Sequence, residues 1–255
     1  MKSTTRQPVA LTIAGSDSGG GAGAQADLRT FWAFGVRGAS AITALTCQNA
    51  REIIGVQAAR AEIVARQIHA VCAEVRPAAV KTGMLANAAI VSAVARELAR
   101  QRLKNVVVDP VMVSTSGRRL LGARAVVVLR QKLLPLATLV TPNLDEARVL
   151  LGGEAIRSVR QMREVARMLA AELGIAVLVK GGHLPGGEAA VDVLCAGGRL
   201  HEFRAPRVAA MKIHGSGCIY SAAIAAWLAR GAGLVEAVRR AKCHVTAQFR
   251  KQRGG

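Results

Sequence analysis

The sequence predicts an α/β fold, namely a three-layer αβα sandwich with a mainly parallel central sheet. Apolar runs of strand length alternate along the chain with amphipathic helical segments, which is the order of βαβ units. Hydrophobic residues make up 51% of the 255 residues and aromatic residues only 3%, so aliphatic side chains must build the core. No linker, repeat or low-complexity tract divides the pattern, and residues 1–255 are therefore predicted to form a single domain.

Six buried strands are predicted from apolar runs that are bounded by turn signals. They cover residues 9–14, 39–46, 78–80, 106–108, 138–141 and 176–179. In sheets of this kind ligands bind beyond the carboxyl ends of the strands. The residues directly after each strand are therefore the candidates for a functional site.

Helices are predicted where apolar residues recur at three- and four-residue spacing. The first of them is marked by Val64, Ile68, Val71 and Val75. A second helix begins at the N-cap Asn87. A third begins at a capping box of Ser158 and Gln161 and ends before Gly174, which suits the left-handed position after a helix.

The chain is strongly basic, with 35 Lys and Arg residues against 16 Asp and Glu residues and a formal net charge of +19. The basic residues are dispersed over predicted helix faces, without aromatic side chains that would stack on bases. We therefore expect no nucleic-acid partner, and a surface that favours anionic substrates. No apolar run approaches the roughly 20 residues that span a bilayer, so no membrane partner is expected.

Cysteine usage and the N-terminal segment predict the compartment. Five scattered cysteines, none in a C-x-x-C pair, indicate reduced thiols rather than disulfides or a zinc knuckle. The first residues carry charge but no following apolar stretch with a cleavage site. The protein is therefore expected to be cytoplasmic.

A glycine-rich loop, residues 15–23, follows the first predicted strand. Its glycines permit a ligand to approach the backbone closely, although a merely flexible turn has the same composition. The loop is not a P-loop, because G-x-x-x-x-G-K-[ST] occurs nowhere in the chain. Residues 21–26 match G-x-G-x-x-A, but no acidic residue follows about 20 positions later, so a dinucleotide site is not favoured.

A second small-residue loop, residues 214–218 with the sequence HGSGC, precedes a predicted helix. The free N–H groups and the positive dipole end of that helix suit a transferring phosphate. Cys218 is predicted in the first turn, where its thiol pKa should fall. A buried small residue in a tight loop fits the same spacing, and zinc binding by His214 and Cys218 lacks further ligands nearby.

Polar residues follow three predicted strands at the same edge of the sheet. They are Asp109, then Asn143 with Asp145 and Glu146, then Lys180. Together they supply what metal-assisted phosphoryl transfer needs, namely charge neutralisation, Mg²⁺ ligands and phosphate positioning. Each alone fits a cap or a surface charge, but their shared position favours a kinase.

Taken in order, seven segments of the chain resemble the hydroxymethylpyrimidine/phosphomethylpyrimidine kinases. They are residues 15–27, 42–49 (ITALTCQN), 81–85 (KTGML), 109–113 (DPVMV), 141–143 (TPN), 180–183 (KGGH) and 214–218 (HGSGC). The resemblance extends over residues 9–245, which is nearly the whole chain. Several motifs in a fixed order are far more specific than any one of them.

The resemblance implies a ribokinase-like fold and a role in thiamine biosynthesis, with ATP and Mg²⁺ as cofactors. It implies phosphorylation of 4-amino-5-hydroxymethyl-2-methylpyrimidine and then of its monophosphate. It further implies that Gln48 binds the aminopyrimidine, since an amide offers a donor and an acceptor together. On the same basis Asp17, Ala22, Met84 and Val111 belong to the substrate pocket.

The resemblance also assigns the phosphate side of the site. It places Asp109 and Glu146 at the metal, and Asn143, Glu146 and Lys180 at the nucleotide. Residues corresponding to the catalytic anion hole are Gly215, Ser216, Gly217 and Cys218. Cys218 takes the place of the general-base aspartate of ribokinases. A homodimer is implied as well.

The chain departs from the family pattern at three places. Ser216 replaces a usual threonine but keeps the hydroxyl. Arg118 stands where an acidic residue is common, which would alter the charge of the lid over the pocket. The sequence ends at Gly255 without the glycine-rich tail of many members, which would weaken the nucleotide cover or an oligomer contact.

Three other functions remain compatible with these residues. A pyridoxal kinase of the same fold would differ in a substrate that residue spacing does not identify. A nucleotide-binding or nucleic-acid-binding regulator would have lost the chemistry, against which the intact Asp109, Lys180 and Cys218 argue. A cysteine hydrolase would use Cys218 with His214 or His183, and it would act without ATP.

Overall fold

Nine β-strands and eight α-helices make up the computed structural model, which describes residues 7–49, 51–113, 119–182, 184, 189–207 and 215–251. The strands are β1 (Val9–Asp17), β2 (Arg37–Gln48), β3 (Ile53–Ala58), β4 (Ala79–Thr82), β5 (Val106–Val108), β6 (Leu139–Val140), β7 (Ala176–Lys180), β8 (Ala189–Ala196) and β9 (Arg199–Pro206). The helices are α1 (Gly23–Ala33), α2 (Ala61–Glu74), α3 (Ala88–Arg100), α4 (Ala123–Val128), α5 (Leu144–Leu151), α6 (Val159–Leu173), α7 (Ser216–Ala229) and α8 (Leu234–Lys251).

All nine described strands belong to one sheet, in the order β3-β2-β1-β4-β5-β6-β7-β8-β9. From β2 to β7 across the sheet, neighbouring strands pair in parallel. Strand β3 pairs antiparallel with β2, and β8 pairs antiparallel with both β7 and β9. The predicted mainly parallel sheet is confirmed, while the one-domain prediction for the whole chain stays a prediction.

Each of the six predicted strands is present: the strand at 106–108 has the predicted bounds, and the others differ by at most three residues at an end. Strand β4 begins at Ala79, and β6 is confined to Leu139–Val140. The three antiparallel strands were not predicted. β3 and β9 lie at the two edges of the sheet, and most of their positions are exposed or half-buried, unlike the buried apolar run of a central strand. In β8, Asp192 interrupts the apolar run.

Helices cover both faces of the sheet. On one face α1, α7 and α8 pack together around Phe31, Ile224 and Val238. On the other face lie α2 to α6, whose core residues include Ile68 and Leu169. The three-layer αβα sandwich is confirmed. Among the described residues, no helix combines the length and the apolarity that crossing a membrane requires.

The predicted helix ends are confirmed in part. Asn87 caps α3 by accepting the Ile90 N–H at 3.0 Å, and Ser158 caps α6 by accepting the Gln161 N–H at 3.2 Å. The predicted capping box is incomplete, because the Gln161 side chain accepts the N–H of Arg157 rather than that of Ser158. Helix α2 ends at Glu74, and Val75 is extended just before the Arg76–Pro77 pair, where helical geometry is disfavoured.

Candidate active site

A cavity of about 510 Å³ opens at the carboxyl ends of the parallel strands. Every predicted site residue lines it: Asp17, Ala22, Gln48, Met84, Asp109, Val111, Asn143, Glu146, Lys180, Gly215, Ser216, Gly217 and Cys218. These residues come from both ends of the sequence. The parallel topology therefore gathers them, as the strand-end argument predicts.

The two small-residue loops touch each other at one end of this cavity. Gly215 has φ +79°, and a Cβ atom there would lie 2.1 Å from the carbonyl oxygen of Gly21. Gly23 has φ +59°, and its Cβ would lie 2.4 Å from the carbonyl oxygen of Gly15. Only glycine fits at either position. The N-termini of α1 and α7 consequently meet at the same place and direct their free N–H groups there.

The Asp17 carboxylate shapes the glycine-rich loop. Its Oδ1 accepts the N–H of Gly19 at 2.9 Å, and its Oδ2 accepts the N–H of Ala22 at 2.7 Å. Ala22 is in turn the N-cap residue of α1. Asp17 therefore holds the loop in place, and its assignment to substrate binding stays a prediction.

The predicted pyrimidine side of the cavity combines one amide with apolar side chains. The side-chain oxygen of Gln48 accepts the Thr46 hydroxyl at 3.2 Å. Met84 is nearly buried, and its carbonyl oxygen accepts the Thr43 hydroxyl. Val111 adopts φ +41°, which is strained for a β-branched residue. Strain of this kind concentrates at ligand sites, where the surrounding structure maintains it.

The opposite wall of the cavity holds a lysine–carboxylate pair. Lys180 Nζ lies 3.0 Å from Asp109 Oδ1, and the Ser221 hydroxyl of α7 lies 3.1 Å from Asp109 Oδ2. Burial alone would lower the pKa of Lys180, but Asp109 and Glu146 raise it above its ordinary value. A Cβ atom on Gly217 would lie only 3.3 Å from Lys180 Nζ. A protonated ammonium group thus stands against the first turn of α7.

Asn143 and Glu146 form a complete capping box at the start of α5. The Asn143 side chain accepts the Glu146 N–H at 2.9 Å, and Glu146 Oε2 accepts the Asn143 N–H at 2.9 Å. Glu146 Oε1 also accepts the N–H of Met112 at 3.1 Å. Burial raises the pKa of Glu146, and Asp109 adds to this effect while Lys180 opposes it. Both residues therefore have a structural role in addition to any ligand contact.

The residues present fit Mg²⁺ in the form that nucleotides carry. Mg²⁺ is commonly bound through one or two carboxylates together with phosphate oxygens. Asp109 and Glu146 place two carboxylates in one wall of the cavity. Among the described residues, no group of three or more His, Cys, Asp or Glu side chains would hold a metal ion by itself. This donor set suits an ion that is shared with substrate phosphates.

Cys218 lies in the first turn of α7, as predicted, but the predicted fall of its thiol pKa is wrong. Burial raises that pKa above its ordinary value. The Lys81 ammonium lowers it, the Asp27 and Asp109 carboxylates raise it, and an N–H bond from Gly23 lowers it. Desolvation of the anion exceeds the stabilisation by Lys81 and by the Gly23 N–H, so at neutral pH the resting group is a thiol.

A buried ion pair beneath the cavity was not predicted as part of the site. Lys81 Nζ donates to both carboxylate oxygens of Asp27, at 2.9 and 2.8 Å, and the Thr12 hydroxyl donates to the same carboxylate at 2.5 Å. All three side chains are fully buried. A lysine within the apolar strand AVK was the sequence signal that could have shown it.

A second unpredicted region is an apolar slot between α8 and the β8–β9 hairpin. Helix α8 contributes Lys242, Val245, Thr246 and Phe249, which recur at helical spacing, and the hairpin contributes Ala190, Ala205 and Pro206. Lys242 Nζ donates to Asp192 Oδ2 at 2.6 Å, and Asp192 Oδ1 accepts the N–H of Gly181 at 2.9 Å. This link fixes α8 next to the strand end that carries Lys180.

Several predictions concern residues outside the described part of the chain. These residues are His183, His214, Arg118 and the C-terminal residues 252–255. The hydrolase and zinc hypotheses, which require those histidines, thus stay without structural support. The five cysteines are all free in the structure, and the reducing compartment stays a prediction.

Comparison with known proteins agrees with this geometry. The profile of the phosphomethylpyrimidine kinase family matches residues 17–254. A hydroxymethylpyrimidine/phosphomethylpyrimidine kinase from Rhizobium meliloti is 49% identical over 94% of this chain and 89% of its own length. A thiamine biosynthesis bifunctional protein from Geobacter sulfurreducens is 47% identical over 94% of this chain, which spans about half (49%) of that relative.

Solved structures show the same relationship. Phosphomethylpyrimidine kinase from Clostridium difficile superimposes with a TM-score of 0.84 at 40% identity, over 95% of this chain and all of the other. An ADP complex of Bacillus subtilis pyridoxal kinase gives a TM-score of 0.84 at 38% identity, over 92% of this chain and 89% of the other. The predicted ribokinase-like architecture is confirmed by these neighbours.

Proposed function

The chain belongs to the phosphomethylpyrimidine kinase family, and on this basis we propose that it phosphorylates 4-amino-5-hydroxymethyl-2-methylpyrimidine with ATP and then phosphorylates the monophosphate. One observation carries the proposal. A single cavity connects the glycine-rich N-terminus of α7 with the Lys180–Asp109 pair on one side and with Gln48 on the other. Such a cavity accommodates a ring, a reacting hydroxyl and a polyphosphate side by side.

We assign the ring of the pyrimidine to the part of the cavity lined by Gln48, Met84 and Val111. The Gln48 amide offers one donor and one acceptor to the aminopyrimidine edge. The apolar Met84 and Val111 side chains suit the faces and the methyl group of the ring. The assignment is supported by the lining of the cavity and by the resemblance of these positions to those of the family.

The nucleotide is assigned to the opposite side. The apolar slot between α8 and the β8–β9 hairpin suits a flat purine ring, and Lys180 with Asn143 lies between this slot and the α7 N-terminus. Pyridoxal kinase from Bacillus subtilis binds ADP on the same architecture, which supports a nucleotide in this chain. When bound with Asp109 and Glu146, Mg²⁺ would neutralise phosphate charge.

In the proposed reaction the hydroxymethyl oxygen attacks the γ-phosphorus of ATP. An oxygen–phosphorus bond forms as the bond from that phosphorus to the β–γ bridging oxygen breaks, and ADP leaves. The N–H groups of residues 215–217 and Lys180 stabilise the charge on the transferring group. The hydroxyl proton passes to the minor thiolate form of Cys218, and a loose transition state requires this only late.

Turnover with identified products tests the proposal. The purified chain is incubated with MgATP and, in separate reactions, with the pyrimidine alcohol, its monophosphate or pyridoxal, and the products are identified by mass. We expect the pyrimidine monophosphate from the first substrate and the diphosphate from the second. Formation of pyridoxal phosphate with no pyrimidine product would show that the substrate assignment is wrong.

A pyridoxal kinase is the second candidate, because a pyridoxal kinase superimposes on this chain at 38% identity. The pyrimidine assignment is preferred, since relatives that match most of this chain and most of their own length at 44–49% identity carry the pyrimidine kinase name. Side-by-side kcat/KM values for the two alcohols separate the candidates. The third candidate is a nucleotide-binding regulator without kinase activity. Any ADP formation that depends on the substrate excludes this candidate.

We propose a cytoplasmic homodimer. The five free cysteines suit a reducing compartment.

The β2–β3 extension at the edge of the sheet exposes apolar side chains, with Leu45 at 58% and Ile54 at 69% exposure, and a second copy of the chain would cover them. Light scattering tests this, since Leu45→Lys with Ile54→Lys should convert a dimer to a monomer, whereas the exposed-residue control Met168→Lys should not.

A further inference from the structure

The buried Lys81–Asp27 pair has no role in the chemistry described so far. Lys81 comes from β4 and Asp27 from α1, and neither side chain reaches solvent. Such pairs add little to stability, because apolar residues of similar volume often serve as well or better. A pair that joins α1 to the sheet at this point therefore calls for another explanation.

The position of the Lys81–Asp27 pair beside the active-site cavity suggests that explanation. Lys81 forms part of the wall of the active-site cavity, together with Cys218 and Gly23. The Cys218 sulfur accepts the N–H of Gly23, the first residue of α1, and Asp27 lies one turn further along that helix. A Cβ atom on Gly83 would lie 2.9 Å from Lys81 Nζ, so the bare backbone of Gly83 leaves room for the ammonium group.

The charges that face Cys218 come from four elements. Lys81 on β4 is the largest of them and favours an anionic sulfur, while Asp27 on α1 and Asp109 after β5 oppose it. Lys180 on β7 also interacts electrostatically with Cys218. Because the effect of Lys81 exceeds that of Asp27, the pair as a whole favours negative charge on Cys218. The Asp27 carboxylate in turn keeps the buried lysine protonated, since it raises the lysine pKa against the effect of burial.

We propose that Lys81 is a positioning residue for phosphoryl transfer: its ammonium group, held by the Asp27 carboxylate, favours the thiolate form of Cys218, and this thiolate takes the hydroxyl proton of the substrate and becomes a neutral thiol. The S–H bond forms as the O–H bond breaks, and no further reactant is needed. The proposal rests on the kinase function proposed above but not on the identity of the alcohol.

The test measures Cys218 directly in the ligand-free protein. The rate of alkylation of Cys218 by iodoacetamide is followed by peptide mass across pH, with the exposed Cys47 and Cys243 as internal references. The main variant combines Lys81→Met with Asp27→Asn, so that no unpaired buried charge remains. A second neutral variant, Lys81→Met with Asp27→Leu, replaces the pair by apolar packing and serves if the first does not fold.

We expect the alkylation profile of Cys218 to move up by about one pH unit in the neutral variants, which is about a tenfold slower reaction at a given pH below the midpoint. The two reference cysteines should not change. The kcat for phosphoryl transfer should fall at least about tenfold, while KM for ATP and for the alcohol stays within about threefold. Thr30→Val, a buried change in α1 that leaves the pair intact, should keep the wild-type profile.

An unchanged Cys218 profile in a folded neutral variant overturns the proposal, whatever happens to kcat. In that case the pair only joins α1 to β4. Failure of the pyrimidine assignment is distinguishable, because alkylation requires no substrate and substrate identity is measured on the wild-type chain.

Discussion

At the scale of single residues, the site depends on polar side chains whose contacts are set by backbone far from them in sequence. Gln48 is the clearest example, since it stands at the end of β2 and lines the same cavity as Ile53 and Met84. Its amide is the polar group that we assign to the pyrimidine ring. Removing it should leave the nucleotide side untouched.

Gln48→Ala should reduce kcat/KM for the pyrimidine alcohol by about tenfold to a hundredfold. The reason is that a buried ring edge left without a partner costs about 1–3 kcal/mol. KM for ATP should not change. Steady-state kinetics with each substrate varied in turn measures both, with the exposed Gln57→Ala on β3 as control. A value within twofold of wild type would show that Gln48 does not bind the ring.

Cys218 gives a prediction of pH dependence. Because burial raises its thiol pKa, the group is protonated at neutral pH and its thiolate fraction grows as pH rises toward that pKa. If the thiolate takes the proton, kcat of the wild type should rise from pH 7 to about pH 9, and Cys218→Ser should lack this rise. Cys243→Ser, at an exposed cysteine, should keep the wild-type profile.

Cys218→Ala should lose activity strongly but not completely, because the N–H groups of residues 215–217 and the Lys180–Asp109 pair remain. Full activity of Cys218→Ser across neutral pH would exclude thiolate chemistry. Cys218 would then be a small packing residue beside the anion hole.

At the scale of elements, two helix caps of similar geometry serve different purposes. Ser158 caps α6 on the surface, whereas Asn143 caps α5 inside the cavity wall and shares a complete capping box with Glu146. The strand end, the loop and the helix start at Asn143 are thus one unit, and its backbone also pairs with Lys180. A substitution of Asn143 should therefore also alter the positions of Glu146 and Lys180 on the phosphate side of the site.

Ser158→Ala should lower the free energy of unfolding by about 1 kcal/mol without changing kcat. Asn143→Ala should lower it by about 1–2 kcal/mol and should also reduce activity, because Glu146 loses the partner that orients it. Urea denaturation and steady-state kinetics on both variants measure the two effects. If both variants kept the wild-type activity, the Asn143 cap would contribute to stability only and not to the active site.

At the scale of the whole molecule, the +19 charge is spread over the helical layers. Many of the arginines form surface ion pairs, as Arg37 does with Glu74 and Arg160 with Glu164. Where described arginines meet an aromatic ring, as Arg230 and Arg240 do at Trp227, their guanidinium groups cover the ring. Such a surface attracts anions weakly and does not bind them at a defined site.

We therefore predict no specific nucleic-acid binding. At about 0.15 M salt, fluorescence anisotropy with duplex and single-stranded oligonucleotides should give dissociation constants no tighter than about 1 μM. Any binding at lower salt should disappear as salt is added. Tight binding at physiological salt would contradict this interpretation of the charge.

Apolar periodicity predicted the six parallel strands and four of the helices, and strand-end position singled out Asp109, Asn143, Glu146 and Lys180, because both are properties of the local sequence. The residues of the pyrimidine pocket, Gln48 among them, came only from the resemblance to the kinase family. The β3, β8 and β9 strands were missed, since β3 and β9 are edge strands with mostly exposed or half-buried positions and Asp192 interrupts the apolar run of β8. The role of Asp17 in holding the glycine loop and the slot beside α8 were missed as well. Both depend on contacts between segments that the sequence separates widely.

The sequence by itself determined the αβα architecture and the set of groups at the carboxyl edge of the sheet. Only the tertiary structure decided their electrostatic state. Cys218 stands at a helix N-terminus, which alone would lower its thiol pKa, but packing of α1 and α7 over β4 removes water from the sulfur and raises it. The same packing brings Lys81 to Asp27 across 54 residues of chain. Desolvation and long-range pairing depend on what surrounds a group in space, and no spacing along the chain encodes them.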